Sequence, residues 1–483
     1  MAARAKDIVV TLPDGYTVRI GRHTRVVDDG AVLIGGAPAR VARLAAAAQS
    51  RMTGREVVVT DSASRALAEY LLENGLADPV AQRLPPADLS QLSVVIPTMD
   101  RPRLLARLLH SLPEGLAEVV VVDDGSDDPH AVAEVVAAAG ARLLSHETNL
   151  GPAAARNTGT AVVSTEFIAF VDTDVILDPE CLSLLVRHFA DPRLALAAPR
   201  IIGARASTPT WITRYEDARS SLDLGAVSAA VKPQTRVAWV PTTCVVVRRS
   251  MLGEGFDPLL RAGEDVDLVW RLTDAGYRVR FEPGAIAQHE HRALPRQWLA
   301  RKFFYGTGAQ PLAERHPDNI APVIFAPWSL LVFVAAVAQR RWSTPVIAVT
   351  VGVVIARIAR RVGHLRHPWR ESARLAGNGL LSAIAQGIAL FVRHGWPLAL
   401  LGSLLSRRIR RATVVAAIAD TVWEYARLRP RLDPVRFALA RRLDDLAYGA
   451  GVWWSSLRGR SVRALLPAIV RTERPSARQR QQG

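Results

Sequence analysis

The chain has 483 residues, 49% of them hydrophobic, and a formal net charge of +16. That length calls for more than one domain, and that composition excludes a disordered or fibrous protein. Its two cysteines, Cys181 and Cys244, lie far apart without metal-ligand spacing, so no disulfide framework is expected and both read as reduced, buried residues. The positive excess is uneven, because residues 401–483 hold 17 arginines, no lysine and six carboxylates, a balance of +11. Such a tail suits an anionic membrane surface. Nucleic acid is the weaker alternative, and solvated arginine-rich helix faces are the plain one. Residues 1–10 carry charges and no apolar segment, so no secretory leader is expected and the chain is placed on the cytoplasmic side.

Residues 1–86 read as a separate small α+β, winged-helix-like module. Short strands are expected at 8–12, 16–20, 24–27 and 31–34, with turns at Pro13-Asp14-Gly15 and Asp28-Asp29-Gly30. Helices are expected at 39–51 and 62–74, the second capped by Asp61 or Ser62 and closed by Asn74-Gly75. Residues 84–88, with Pro85-Pro86, read as a linker across which the module is separable.

An α/β domain follows over 87–315. Three β-branched runs, 92–96, 119–122 and 167–171, have helical patterns between them, as in parallel strands of an open sheet. The first ends at Pro97-Thr98, the second at Asp123-Asp124-Gly125-Ser126-Asp127, the third at Asp172-Thr173-Asp174. Open α/β sheets bind ligands at the carboxyl ends of their strands, so the three clusters are expected in one crevice. Asp172 and Asp174 fall on one side of an extended segment. Two such carboxylates suit a hard divalent cation that also holds a diphosphate, and Asp124 is placed to accept from a nucleobase or ribose. Arg156, in the turn and helix opened by Asn149-Leu150-Gly151-Pro152, is matched to diphosphate oxygens, with a surface salt bridge as the alternative. His289 and His291, two residues apart after a strand at 278–281, put both rings on one side; one of them completes the cation's shell, and the spacing does not choose between them.

These segments, together with Ile96-Pro97-Thr98, Val122-Asp123-Asp124-Gly125-Ser126 and Asn149 to Asn157, resemble glycosyltransferase family 2 in that family's order. The resemblance covers about residues 92–292. It implies a GT-A (Rossmann-like) nucleotide-diphospho-sugar transferase core, a nucleotide-sugar donor, Mg²⁺ or Mn²⁺ as cofactor, and inversion at the anomeric carbon. It places Pro97, Thr98, Asp124, Asn149, Gly151, Arg156, Asp172, Thr242 and Thr243 around the nucleotide sugar, and Asp174, Asp172, His289 and His291 at the metal. Gly263-Glu264-Asp265 resembles the family's Glu-Asp motif, which implies Asp265 as catalytic base with Glu264 beside it. Acidic residues simply favouring a helix N-terminus are the plain alternative. The Gln-x-x-Arg-Trp motif of the processive synthases is absent at 297–302.

Residues 316–483 read as a helical, apolar region. The stretches 321–338, 344–356, 375–392 and 395–406 carry no charge and are flanked by Arg340-Arg341, Arg360-Arg361 and Arg407-Arg408. About 20 apolar residues are needed to span a bilayer, so one or two membrane hairpins or interfacial helices are expected, with a soluble bundle as the alternative. The N-terminal module resembles PqqD-like domains, which implies peptide capture by strand addition; a structural appendage is the alternative. The whole layout resembles the mycofactocin biosynthesis glycosyltransferases. That implies glucose transfer from UDP-glucose onto a peptide-derived redox cofactor, building a β-1,4-glucan tail, at the cytoplasmic face of the membrane and without nucleic acid. A lipid-linked or cell-wall acceptor, and a noncatalytic peptide-binding scaffold, are the two rival functions.

Overall fold

The computed structural model describes residues 11–205 and 208–469. The strand expected at 8–12 falls mostly, and the leader reading at 1–10 wholly, outside the described residues, as do the last arginines of the tail. The chain divides into two compact units, Met1–Ala293 and Leu294–Gly483. Residues 294–315, grouped with the α/β domain from sequence, belong to the second.

In the first unit, Thr17–Ile20 lies between Glu56–Val58 and Ala77–Pro79, all antiparallel, and Arg25–Val27, Val32–Gly35 and Arg40–Arg43 form a second antiparallel sheet. Helix Ser62–Glu73 starts in a capping box between Asp61 and Ser64 and buries Leu67, Ala68, Leu71 and Leu72 against Val18, Leu33 and Val57. The helix expected at 39–51 is not there. Arg40–Arg43 is a strand paired with Val32–Gly35, and only Ala46–Gln49 is helical. An alanine-rich composition suggested helix, but Ala42 and Leu44 point inward while Val41 and Arg43 point out, the period of a strand. Gly36, at φ +93°, turns the chain into that pairing, and a Cβ there would lie 2.5 Å from the Asn74 carbonyl.

No break separates this module from the α/β core. Asp78 pairs with Arg280 at 2.8 Å, Glu73 with Arg193 at 3.3 Å and Lys232 at 3.6 Å, and Glu69 with Arg278. The module's acidic residues are thus counter-charges for core cations.

The core is a nine-stranded mixed sheet. Leu92–Thr98 runs parallel between Phe167–Val171 and Glu118–Asp124, with Arg142–His146 parallel beyond. On the other flank, Cys244–Arg248 is antiparallel to Phe167–Val171, followed by Leu194–Gly203, Arg278–His289 and Val175–Leu177. The three expected parallel strands are present, and each is buried on both faces, which is why the runs are continuously β-branched rather than alternating. Helices Pro102–Ser111, Pro129–Ala138 and Pro152–Val162 make the crossovers, each opening with a proline in its first turn. Helix Pro152–Val162 packs tightly on the first strand: a Cβ on Gly159 would lie 2.3 Å from Val95 Cγ1. The register pairs Thr98 with Asp123 and Phe170 with Val95, so the polar clusters leave the sheet at one edge.

The second unit is helical. The uncharged stretches fall in Pro327–Ala338, Ser343–Arg361, Pro368–Ala389 and Trp396–Leu405, followed by Arg407–Leu428 and Pro434–Arg458. Ser343–Arg361 and Pro368–His394 are long and apolar enough to cross a membrane, with mean hydropathies of 1.5 and 1.6. Their surfaces and those beyond carry exposed Val349, Leu404, Leu405, Val415 and Trp423. Inside the unit, Asp445 accepts from Arg393 at 2.9 Å and from Arg441 at 2.8 Å.

Candidate active site

Asp124 ends the second parallel strand and is 5% exposed. Its carboxylate accepts from the Leu150 amide at 3.0 Å, the Gly151 amide at 2.8 Å and His146 Nδ1 at 2.8 Å. It thus ties down the turn at Asn149–Gly151 that leads into helix Pro152–Val162. Gly151 has φ +98°, and a Cβ there would lie 2.9 Å from Arg261 Nη1, so the turn requires glycine. Asn149 Nδ2 reaches Met99 Sδ at 2.8 Å. Pro97 O accepts from Thr173 Oγ1 at 2.6 Å, and the buried Thr98 hydroxyl has no hydrogen-bond partner among the described residues.

Arg156 joins two of the sequence clusters. Its guanidinium, 3% exposed at the side chain, donates to Asp172 at 2.6 Å and Glu264 at 3.3 Å, and lies 5.2 Å from the Phe256 ring centroid. Burial opposes its charge, but Asp172 and then Glu264 more than offset that, and its pKa stands above the ordinary arginine value. This ion pair is buried rather than superficial. Gly263, at φ +89°, opens helix Glu264–Asp274, so Glu264 and Asp265 occupy its first turn. Asp265 is pushed up to about 7, first by burial and then by the Glu264 charge, against the pull of the Val266 amide and of Arg156. A carboxyl poised there releases and takes a proton near neutrality, as a general base must. The buried Thr242 and Thr243 precede Cys244–Arg248, and Thr243 O accepts from the Asp172 amide at 2.9 Å.

Asp174 faces a different set. Arg101 Nη1 donates to its Oδ2 at 2.7 Å, and His289 Nε2 lies 3.5 Å from its Oδ1. His289 Nδ1 is buried without a hydrogen-bond partner among the described residues. His291 is drawn elsewhere, 3.4 Å from Asp217, with the two imidazole centroids 6.1 Å apart. Asp172 and Asp174 thus serve separate partners, and among the described residues no three His, Cys, Asp or Glu side chains form a ready-made metal cluster.

Arg101, His146 and Phe256 are not among the residues expected from sequence. Arg101 lies three residues beyond Thr98, in the loop that leaves the first strand's end, and a cation there is a signal that could have been weighed. His146 sits at a strand end, bridging Asp124 and Thr158 Oγ1 at 2.9 Å. Phe256 reaches Arg156 through tertiary folding and carries no local signal.

Residues 93–256 match the family described as glycosyl transferase family 2. The chain is 42% identical over 474 residues to the pre-mycofactocin glycosyltransferase of Mycobacterium tuberculosis, in strains CDC 1551 and H37Rv, covering 95% of this chain and 98% of that protein. It is 30% identical over 251 residues to an N-acetylglucosaminyltransferase of Bradyrhizobium diazoefficiens, covering 46% of this chain and 52% of that one. A solved mannosyltransferase from Pyrobaculum calidifontis, in complex with GDP-Man and Mn²⁺, aligns at 18% identity with a TM-score of 0.36, over 63% of this chain and 87% of its own.

Proposed function

The chain belongs to glycosyltransferase family 2, beside the pre-mycofactocin glycosyltransferases, and on that premise we propose that it is an inverting, metal-dependent glucosyltransferase that uses UDP-glucose. The acceptor is the peptide-derived precursor of the redox cofactor mycofactocin, and successive transfers build a β-1,4-glucan tail. The acceptor rests on similarity along nearly the full length of a relative named for it. The chemistry rests on one observation above all: a buried carboxyl, Asp265, poised at about 7 beside an arginine that bridges Asp172 and Glu264.

In this account Asp265 takes the proton from the acceptor hydroxyl as its oxygen bonds to the anomeric carbon. The bond from that carbon to the diphosphate oxygen breaks, and UDP leaves on the opposite face. Arg156 pairs with Asp172 and with Glu264 on the first turn of the base helix, and so ties that helix to the end of the Phe167–Val171 strand. The Asp124-held turn shapes the nucleotide side, where Thr98, Asn149 and Gly151 lie. Asp174 Oδ1 and His289 Nε2, 3.5 Å apart, are the carboxylate and imidazole donors that would hold Mn²⁺ or Mg²⁺. When bound, such a cation neutralises charge developing on the leaving diphosphate. His291, engaged with Asp217, lies outside that pair.

The second unit is read as a membrane anchor on an anionic surface. Ser343–Arg361 is about 28 Å long at 1.5 Å per residue, near the bilayer's hydrocarbon thickness, and arginines stand at both ends. The same apolar surface favours the rival acceptor, a lipid-linked saccharide. The N-terminal module is read as a PqqD-like peptide holder, and the exposed edge at Arg40–Arg43 is where a peptide strand would add.

The test is transfer by the full chain from UDP-glucose to the unglycosylated cofactor precursor, read as hexose additions by mass spectrometry, with and without EDTA. Hexose addition that stops with EDTA is expected. Addition only to a lipid-linked acceptor would move the function to the rival reading, and no release of UDP with any acceptor would leave the scaffold.

A further inference from the structure

Asp174 holds a cation that belongs to the protein. Arg101 lies 2.7 Å from its Oδ2. The arginine's place is set by its loop. Asp100, at φ +55°, donates its amide to Ser126 Oγ at 2.8 Å and accepts the Asp127 amide at 2.7 Å, which fastens the loop to the second strand's acidic cluster. Arg101 is the residue before helix Pro102–Ser111, and its side chain makes no cap there. One face further along that helix, Arg107 pairs with Glu290 at 2.7 Å, the residue beside His289. The helix therefore presents two guanidinium groups to the carboxylates around the Asp174–His289 pair.

A divalent cation on Asp174 and a guanidinium on the same carboxylate repel each other at a separation of a few ångströms, where Coulomb energies are large and poorly screened. The two are alternatives. Arg101 is 38% exposed at its side chain, so it leaves Asp174 without unpacking any core. A diphosphate is the natural next partner for a released guanidinium, which binds phosphate oxygens bidentately.

We propose that Arg101 is the resident counter-cation of Asp174, exchanged for the divalent metal when the donor's diphosphate arrives, so that it couples metal binding to donor binding. Arg101 is a positioning residue in this role. Holding Asp174 in the free protein, it lowers metal affinity; moving to the diphosphate, it raises donor affinity. The cation and the donor then load together, since each relieves the other of Arg101. This rests on the reading of Asp174 and His289 as the metal pair.

The experiment measures Mn²⁺ binding to the full chain by loss of the free-ion EPR signal, with and without UDP, for the unaltered protein, Arg101→Met, Arg101→Lys and Arg107→Met. Without UDP, Arg101→Met is expected to bind Mn²⁺ on the order of 10-fold more tightly, within the usual span of coupling between sites. With UDP that gain disappears and UDP affinity falls. Arg101→Lys keeps the cation and stays near the unaltered protein. Arg107→Met removes the same charge nearby and leaves Mn²⁺ binding within about 2-fold, a screened surface effect. Unchanged or weaker Mn²⁺ binding by Arg101→Met in the absence of UDP overturns the exchange, because it leaves Arg101 as mere support for Asp174. If no protein binds Mn²⁺ even with UDP, the metal pair itself is wrong, a failure distinct from the first.

Discussion

Arg278→Met tests whether the N-terminal module is part of the catalytic fold. Arg278 is 11% exposed at its side chain and meets Asp191 at 2.8 Å, Glu73 at 3.8 Å and Glu69. Burial opposes its charge, but Asp191 and Glu69 more than offset that and hold its pKa above the ordinary value. Removing one partner of a buried pair costs about 3–5 kcal/mol, because the remaining charges stay buried. Here Asp191 keeps the Arg193 amide at 2.9 Å, while Glu69 and Glu73 sit partly in water, so the lower end, about 3 kcal/mol, applies. At roughly 2–4 °C per kcal/mol for a unit of this size, the melting temperature should fall by about 6–12 °C. The control is Arg51→Met, which breaks an ion pair with Asp61 exposed on both sides and should cost no more than about 1 kcal/mol. Thermal unfolding of both full-length variants by circular dichroism makes the comparison. Equal shifts would refute the reasoning, since they would make the module's acidic contacts solvent-screened and the module dispensable. By the same logic, deleting residues 1–86 should abolish UDP-glucose hydrolysis along with transfer, because Arg193, Lys232, Arg278 and Arg280 all lose partners.

The Asp265 carboxylate must be ionised to act, so kcat/KM should climb tenfold per pH unit up to about 7 and then level; Glu264→Gln removes a like charge and should move that limb to lower pH, and an unmoved limb would deny the coupling. The same raised pKa means that ionisation in the fold is disfavoured as pH rises toward and through about 7, so Asp265→Asn should melt higher than the unaltered protein at pH 8, and a lower melt would contradict the burial argument. His289→Ala should weaken Mn²⁺ binding by about 10–100-fold, while His291→Ala, whose ring lies 3.4 Å from Asp217, should change it by less; the reverse order would exchange their roles. The full chain should sediment with phosphatidylserine vesicles more than with neutral ones, and salt should reduce the difference; equal binding would leave the arginine flanks without a part in it.

The catalytic fold was legible because its strands are buried on both faces and end abruptly in acid. Leu92–Thr98, Glu118–Asp124 and Phe167–Val171 need no long-range information to be recognised. What escaped was set by tertiary pairing. Arg40–Arg43 is alanine-flanked chain that becomes strand only because Val32–Gly35 offers it a partner. The module's attachment depends on Glu69, Glu73 and Asp78 finding arginines more than a hundred residues away. At the site, residue types and order were readable, but partners were not. Arg156 was matched to a diphosphate and is held by Asp172 and Glu264; Asp124 was matched to a nucleoside and also carries the Asn149–Gly151 turn. The i, i+2 spacing of His289 and His291 put both rings on one side but did not show that they face different carboxylates, Asp174 and Asp217.

The central claim is that Asp265 is the base of an inverting transfer, and Asp265→Asn tests it most directly when UDP-glucose affinity and turnover are measured on the same preparation. The account predicts affinity within about 2–3-fold of the unaltered protein and transfer lower by about 10²–10⁴-fold, the usual range for a lost general base, with the unaltered protein's product in the β configuration by NMR. Weakened affinity with unchanged turnover, or an α-linked product, would contradict it.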